Sequence, residues 1–97
     1  MSTGVLKAVQ LTANGFVTQK RALFKMLMIF HPLSNDSSYK FYDINTVPTG
    51  SEPHYTFSVY GKGRDAVNFP EPGVLFDDGI YVEVVAGTTV TVLYEEV

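Results

Sequence analysis

Apolar side chains recur at every second position in several short segments, and this rhythm restricts the chain to β-structure. The clearest case is segment 54–60, where Tyr55, Phe57 and Val59 alternate with hydroxylated side chains. Successive side chains of a β-strand point to opposite faces, so this pattern places the three apolar side chains on one face. An α-helix, which repeats every 3.6 residues, would not collect them on one side.

Turn-forming residues separate these segments at short intervals. Ala13-Asn14-Gly15 is a tight-turn signal that ends the first strand, and Asp78-Gly79 favours a type I′ hairpin turn. Ala86-Gly87 predicts a hairpin between segments 80–85 and 89–95. The predicted strands are 5–12, 20–31, 39–44, 54–60, 66–69, 74–76, 80–85 and 89–95.

Segment 20–31 also contains many helix-forming residues, so a helix competes with a strand there. A strand is favoured because an unbroken apolar series keeps one parity, whereas a helix would be apolar on all sides. That parity predicts an outer face with Leu23, Leu27 and Ile29 beside Arg21 and Lys25. The residues expected to face the core are Ala22, Phe24, Met26, Met28 and Phe30.

Seven or eight short strands without a convincing helix predict an all-β fold. The length of 97 residues fits one domain, 1–97. We expect two packed antiparallel sheets forming a β-sandwich, either jelly-roll-like or Ig-like. The strand order does not follow from the pattern.

The composition indicates that apolar surface is hidden against a partner, because only 18% of the residues are charged and 45% are hydrophobic. A typical soluble domain is about 25% charged. The chain has no cysteine, which is typical of a protein made in a reducing cytoplasm. No signal peptide is expected, and the longest apolar run, 26–30, is too short to cross a membrane.

Charge is distributed unevenly along the chain. Residues 1–64 contain all seven Lys and Arg and three acids, a balance of +4, whereas residues 65–97 contain seven acids and no base, a balance of −7. Such asymmetry indicates an oriented contact with a partner. Alternatively, a β-fold brings distant segments together and evens out the surface.

No pattern predicts catalysis, a metal or a cofactor. His31 and His54 are the only histidines, and a zinc site needs three or four ligands. Asp77 and Asp78 could bind calcium with Asp65 or Glu71, but the 12-residue EF-hand pattern is absent. There is no G-x-S-x-G nucleophile motif. We therefore expect no enzyme.

Two groups of basic residues are expected to be surface features. Segment 61–64 lacks the spacing of a phosphate-binding loop, and we expect it to place Lys62 and Arg64 on an exposed turn that contacts acidic neighbours. Lys20, Arg21 and Lys25 form a small basic cluster. With a net charge of −3, nucleic-acid binding is not expected.

An interface is predicted where apolar residues lie opposite the core parity. A strand with one solvated face should be polar on that face, yet segment 20–31 is apolar on both. The acidic residues Glu95 and Glu96 are expected to add charged contacts. The predicted contact residues are Leu23, Leu27, Ile29, Lys62, Arg64, Tyr81 and Leu93.

The chain resembles a group of small virion proteins of tailed bacteriophages, notably phages of cyanobacteria and other aquatic bacteria. The resemblance lies in segments 2–8, 60–63, 73–84 and 86–94, which read STGVLKA, YGKG, GVLFDDGIYVEV and AGTTVTVLY. These segments are similar in fold pattern and carry no catalytic residues.

The resemblance implies a structural virion protein assembled in the host cytoplasm. The expected role is a capsid decoration or cement protein that contacts the major capsid protein or other virion proteins, as a dimer or trimer. A tail, neck or fibre-adaptor component is the alternative with the same fold. A carbohydrate-binding module is a third possibility, because six tyrosines could form a stacking platform.

Overall fold

The computed structural model describes residues 5–97 and consists of β-strands and connecting loops in that range. Residues 1–4, which include the start of segment 2–8, lie outside the described part. The predicted all-β class is confirmed. The strands are β1 (Leu6–Leu11), β2 (Gly15–Thr18), β3 (Ala22–His31), β4 (Ser37–Tyr42), β5 (Tyr55–Val59), β6 (Gly63–Asn68), β7 (Val74–Phe76), β8 (Ile80–Glu83) and β9 (Thr89–Glu96).

The strands form two antiparallel sheets that pack face to face. The first sheet has the order β1-β9-β3-β6, with β7 also paired to β3, and the second has the order β2-β8-β4-β5. Four pairs are nested around the β4–β5 connection: β4·β5, β3·β6, β2·β8 and β1·β9. Nested antiparallel pairs rolled into two sheets are the arrangement of a jelly roll, which is one of the two predicted sandwich types.

Most consecutive strands lie in different sheets, and two predicted hairpins are therefore wrong. The Asp78-Gly79 turn connects β7 of the first sheet to β8 of the second, and the Ala86-Gly87 turn returns the chain to β9 of the first. Glycine allows the chain to reverse, but it does not determine which sheet receives the next strand. Strand β2, which has four residues, was not predicted.

The core lies between the two sheets and is mainly aromatic and β-branched. Phe24 lies at its centre, with ring contacts to Phe41 at 5.1 Å, Phe69 at 4.7 Å and Phe76 at 5.8 Å between centroids. Tilted and edge-on aromatic pairs of this kind add to the stabilisation from burial. Buried side chains from both sheets therefore hold the sandwich together.

Strand β3 contains a β-bulge at Lys25 that reverses its side-chain parity. Phe24 pairs with Tyr94 and Met26 pairs with Leu93, so Lys25 is an extra residue opposite β9. An extra residue moves all following side chains to the other face. The prediction that Leu27 and Ile29 face outward is consequently wrong, since only 1% and 2% of their surfaces are exposed.

The same bulge directs outward the side chains of β3 after Lys25 that were expected in the core. Met28 and Phe30 were expected in the core, yet they are 37% and 43% exposed. The bulge is held by the segment after β6, because the Phe69 backbone N–H donates to the Lys25 carbonyl at 3.1 Å. Gly73 also lies against the bulge, because a Cβ at this position would be 2.7 Å from the Phe24 carbonyl oxygen.

Ion pairs join the basic first part of the chain to its acidic last part. Each of the three given below, all within residues 5–97, connects a base from the first 64 residues with an acid from residues 65–97, so folding pairs some of the opposite charges within the molecule. This supports the second reading of the charge asymmetry. The pairs are Lys7–Glu96 at 2.8 Å, Arg21–Asp77 at 3.5 Å and Lys25–Glu71 at 3.2 Å.

The Glu96 carboxylate also connects the two sheets. It accepts hydrogen bonds from Lys7 of β1 at 2.8 Å and from the Thr18 hydroxyl of β2 at 2.6 Å. These two hydrogen bonds lower the pKa of Glu96, because they favour its charged form.

Alanine substitutions at Leu27 and Met28 test the reversed parity. Leu27→Ala should lower the free energy of unfolding by about 2–5 kcal/mol, since it leaves a cavity in the core. Met28→Ala should lower it by less than about 1 kcal/mol, because Met28 is partly exposed. Urea denaturation of both variants measures the difference, and a larger loss for Met28→Ala would contradict the bulge.

Candidate interaction surface

The outer face of the first sheet is largely apolar over its full width. Antiparallel register places its side chains in four rows that run across the strands. The rows are Thr89, Phe30 and Arg64; Gln10, Thr91, Met28 and Ala66; Ala8, Leu93, Met26 and Asn68; and Leu6, Glu95, Leu23 and Leu75. We call the apolar members the apolar face: Leu6, Ala8, Leu23, Met26, Met28, Phe30, Ala66, Leu75 and Leu93.

Several large side chains of the apolar face are exposed to solvent. Leu6, Met28, Phe30 and Leu75 all belong to this group. The guanidinium of Arg64 lies over the Phe30 ring at 4.8 Å in a cation–π contact, and Phe30 remains 43% exposed. Solvent-exposed sheet faces are normally polar, so this face has the composition of a contact surface.

The size of the apolar face sets the strength of any contact through it. Four strands span about 19 Å and eight residues of β3 about 26 Å, which gives about 500 Å² for the whole outer face, including its polar positions. At about 25 cal/mol per Å², covering it contributes at most about 12 kcal/mol. Association costs about 4–15 kcal/mol. One copy would therefore bind weakly, and stable attachment would require several contacts at once.

The structure brings together only part of the predicted contact set. Leu23 and Leu93 lie on the apolar face, half-buried, and Arg64 lies at its edge on β6. Arg64 is thus a strand residue, whereas the sequence predicted it in an exposed turn. Lys62 is exposed in the β5–β6 turn, and Tyr81 lies in the second sheet, 9% exposed.

The sequence missed the most exposed members of the apolar face. Leu6, Met28, Phe30 and Leu75 were assigned to the core or left without a role. Because β3 is apolar on both parities, its pattern does not distinguish inside from outside. The nearest sequence signal was Lys25, a charged residue inside an apolar strand, where the parity changes.

A polar cleft lies on the opposite side of the molecule, on the outer face of the second sheet. Its floor is formed by β4 and β8, where Lys40 pairs with Glu83 and Tyr42 with Tyr81. The loop at residues 47–51 forms one wall, and the volume is about 430 Å³. We call this site the polar cleft; its polar lining residues are Asn14, Lys40, Tyr42, Ser51, Tyr81 and Glu83.

The Tyr42 hydroxyl donates a hydrogen bond to the Glu83 carboxylate. This hydrogen bond is the main cause that raises the pKa of Tyr42 to about 12, with burial and the charges of Glu83 and Glu52 adding to it. The bond fixes the Glu83 carboxylate in the cleft. The tyrosines do not form the flat platform considered above, since Tyr60 is the one exposed tyrosine, at 80%.

The residues considered as metal ligands or bases have structural contacts. His31 is buried between the Tyr39 hydroxyl at 2.7 Å and the Asn35 carbonyl at 2.9 Å. His54 contacts the Leu75 carbonyl at 2.9 Å. The backbone N–H groups of Asp77 and Asp78 donate to the Asp43 carboxylate at 3.0 and 2.8 Å.

Within residues 5–97, no three His, Asp or Glu side chains are grouped so that they could hold a metal ion. The same part of the chain contains no helix that is long and apolar enough to cross a membrane. Comparisons with protein-family models, curated proteins and solved structures find no match to this chain. The resemblance to phage virion proteins therefore stays a prediction.

The tyrosinate absorbance of the protein tests the Tyr42–Glu83 hydrogen bond. The pKa of Tyr42 is raised from the ordinary value near 10 to about 12. The stabilisation that this hydrogen bond gives is therefore complete below about pH 10 and is lost as the pH rises through about 12. A wild-type titration minus that of Tyr42→Phe should show one group ionising near pH 12. Glu83→Gln should move this group towards pH 10, and a midpoint near 10 in the wild-type difference curve would contradict the bond.

Proposed function

We propose that the protein is a virion structural component that attaches to a capsid through its apolar face, in the manner of a decoration or cement protein. The observation that carries the proposal is the apolar, solvent-exposed outer face of the first sheet. The jelly-roll strand order supports it, because viral capsid proteins are among those built on this architecture. Architecture is compatible with many functions, so the surface carries more weight than the fold.

The estimated area favours a partner that is present in many copies. About 500 Å² per chain is below the roughly 800 Å² that each partner contributes to a standard interface. A shell with repeated, symmetric subunits offers many equivalent sites, and linked contacts gain affinity without new contacts. The major capsid protein is therefore the proposed partner. The dimer or trimer inferred from the sequence remains a prediction and would supply the linkage.

Arg64 gives one end of the apolar face an exposed positive charge, since it lies in the row with Phe30. Glu95 lies at the other end, in the row with Leu6 and Leu23, but only 5% of its surface is exposed. An exposed charge contributes little affinity, about 0–1 kcal/mol per pair. Arg64 would instead favour a docking orientation that brings it to an acidic group of the partner.

The double variant Met28→Ser/Phe30→Ser tests attachment. We expect it to reduce binding to purified capsids at least tenfold while keeping the fold, because both side chains are partly exposed. Co-sedimentation of the chain with particles of the virus that encodes it measures binding, and urea denaturation checks the fold. Val47→Ser, which removes an exposed apolar side chain elsewhere, is the matched control.

Retention of the folded double variant on particles at the wild-type level would exclude the apolar face as the attachment site. Immunolabelling of intact particles separates the two locations considered for a virion protein. A decoration protein covers the head, whereas a tail, neck or fibre-adaptor component labels one end of the particle.

A further inference from the structure

The polar cleft lies on the side of the sandwich opposite the apolar face. The cleft is floored by β4 and β8 of the second sheet, and the apolar face belongs to the first sheet. A molecule that covers one sheet therefore leaves the other accessible. The volume of about 430 Å³ lies in the range of about 300–1,000 Å³ that is typical of small-molecule sites.

The lining of the cleft combines hydrogen-bond donors with acceptors. Lys40 supplies an ammonium group and Glu83 a carboxylate, and the two lie directly opposite each other in the register. The Asn14 side-chain oxygen accepts the Val84 backbone N–H at 2.7 Å, so the amide presents mainly its N–H groups. Ser51 adds a hydroxyl that both donates and accepts.

Apolar groups accompany these polar ones. Val47 and Pro48 form part of the wall, and Val47 is largely exposed. The Tyr42 and Tyr81 rings meet edge-on in the floor, at 64° to each other and with centroids 6.3 Å apart. A ligand that fits this lining must carry several hydroxyl groups together with an apolar C–H surface.

The charges of the cleft favour a neutral ligand. Lys40 and Glu83 offset each other, and Glu52 is close enough to raise the pKa of Tyr42, so an anion would meet net negative surroundings. A divalent cation would find one carboxylate, Glu83, among the lining residues, whereas calcium takes six to eight oxygen ligands.

The Glu83 carboxylate and the start of the loop are held in place before any ligand binds. The Tyr42 hydroxyl fixes Glu83, and the start of the loop that forms the wall is attached by Asp43, which accepts two backbone N–H groups. Gln19 donates to the Asn45 carbonyl of the same loop at 3.1 Å. A site ordered in advance loses less conformational entropy on binding.

We propose that the polar cleft, with Lys40, Ser51 and Glu83 as its hydrogen-bonding groups and Val47 as its apolar wall, binds a neutral saccharide. A pyranose ring presents hydroxyl groups that donate and accept, together with a C–H face, and so matches both halves of the lining. This site is independent of capsid attachment, because it uses the other sheet.

Nuclear magnetic resonance titration of the isotope-labelled chain tests the proposal with D-glucose, D-galactose and N-acetyl-D-glucosamine at millimolar concentrations. We expect saturable shifts of the Lys40, Ser51 and Glu83 amides with at least one sugar. Glu83→Gln should weaken that binding about tenfold, because a charge-assisted hydrogen bond is lost. Met28→Ala, on the opposite sheet, should leave it unchanged.

Two results would overturn the saccharide site. One is the absence of saturable shifts at the cleft with all three sugars, and the other is binding that Glu83→Gln does not weaken although the variant spectrum shows an intact fold. Either result leaves the capsid-attachment experiment unaffected, since that experiment depends on Met28 and Phe30.

Discussion

The extra residue at Lys25 determines which side of strand β3 enters the core, and much of the molecule follows from that choice. Strand β3 pairs with β6, β7 and β9, so its side-chain directions affect the whole first sheet. Because of the bulge, Phe24 and Leu27 both face inward, although their spacing is odd. Met26, Met28 and Phe30 are then directed outward, where they form the centre of the apolar face.

The nested pairing of strands gives the sandwich two outer faces with different chemistry. The first sheet presents Leu, Met and Phe side chains, whereas the second presents the Lys40–Glu83 pair and hydroxylated residues. A molecule with one apolar and one polar broad face is suited to attach by the first and to present the second to solvent. The two proposals use these faces separately, and neither requires the other.

Part of the uneven charge of the sequence is paired inside the molecule. Strands from the two ends of the chain are neighbours, since β1 pairs with β9, and this brings Lys7 to Glu96. Lys25 likewise meets Glu71 beside the bulge. The asymmetry along the sequence therefore reports which segments are adjacent in the fold, and it does not by itself indicate an external partner.

Most strand segments could be predicted because each depends on local alternation, although β2 was missed and β6 begins at Gly63, within a predicted turn. The ranges 54–60, 74–76 and 89–95 lie within one residue of β5, β7 and β9 at each end. The sheet to which each strand belongs could not be predicted, because the turns at Gly79 and Gly87 allow the chain to continue in the same sheet or to cross to the other one. The candidate surface was only partly predicted. Leu23, Leu93 and Arg64 were identified, but Leu27 and Ile29 were exchanged with Met28 and Phe30.

The sequence by itself determined that the chain forms β-strands, that they pack as a sandwich, and that one long strand has more apolar surface than a core requires. Alternation with period two is a local property, and it is preserved in any arrangement of the sheets. Only the tertiary structure decided which of the two apolar sides of β3 faces solvent. That decision depends on the pairing with β9 and on the contacts of Phe69 and Gly73 around the bulge, which come from segments more than forty residues away in the chain.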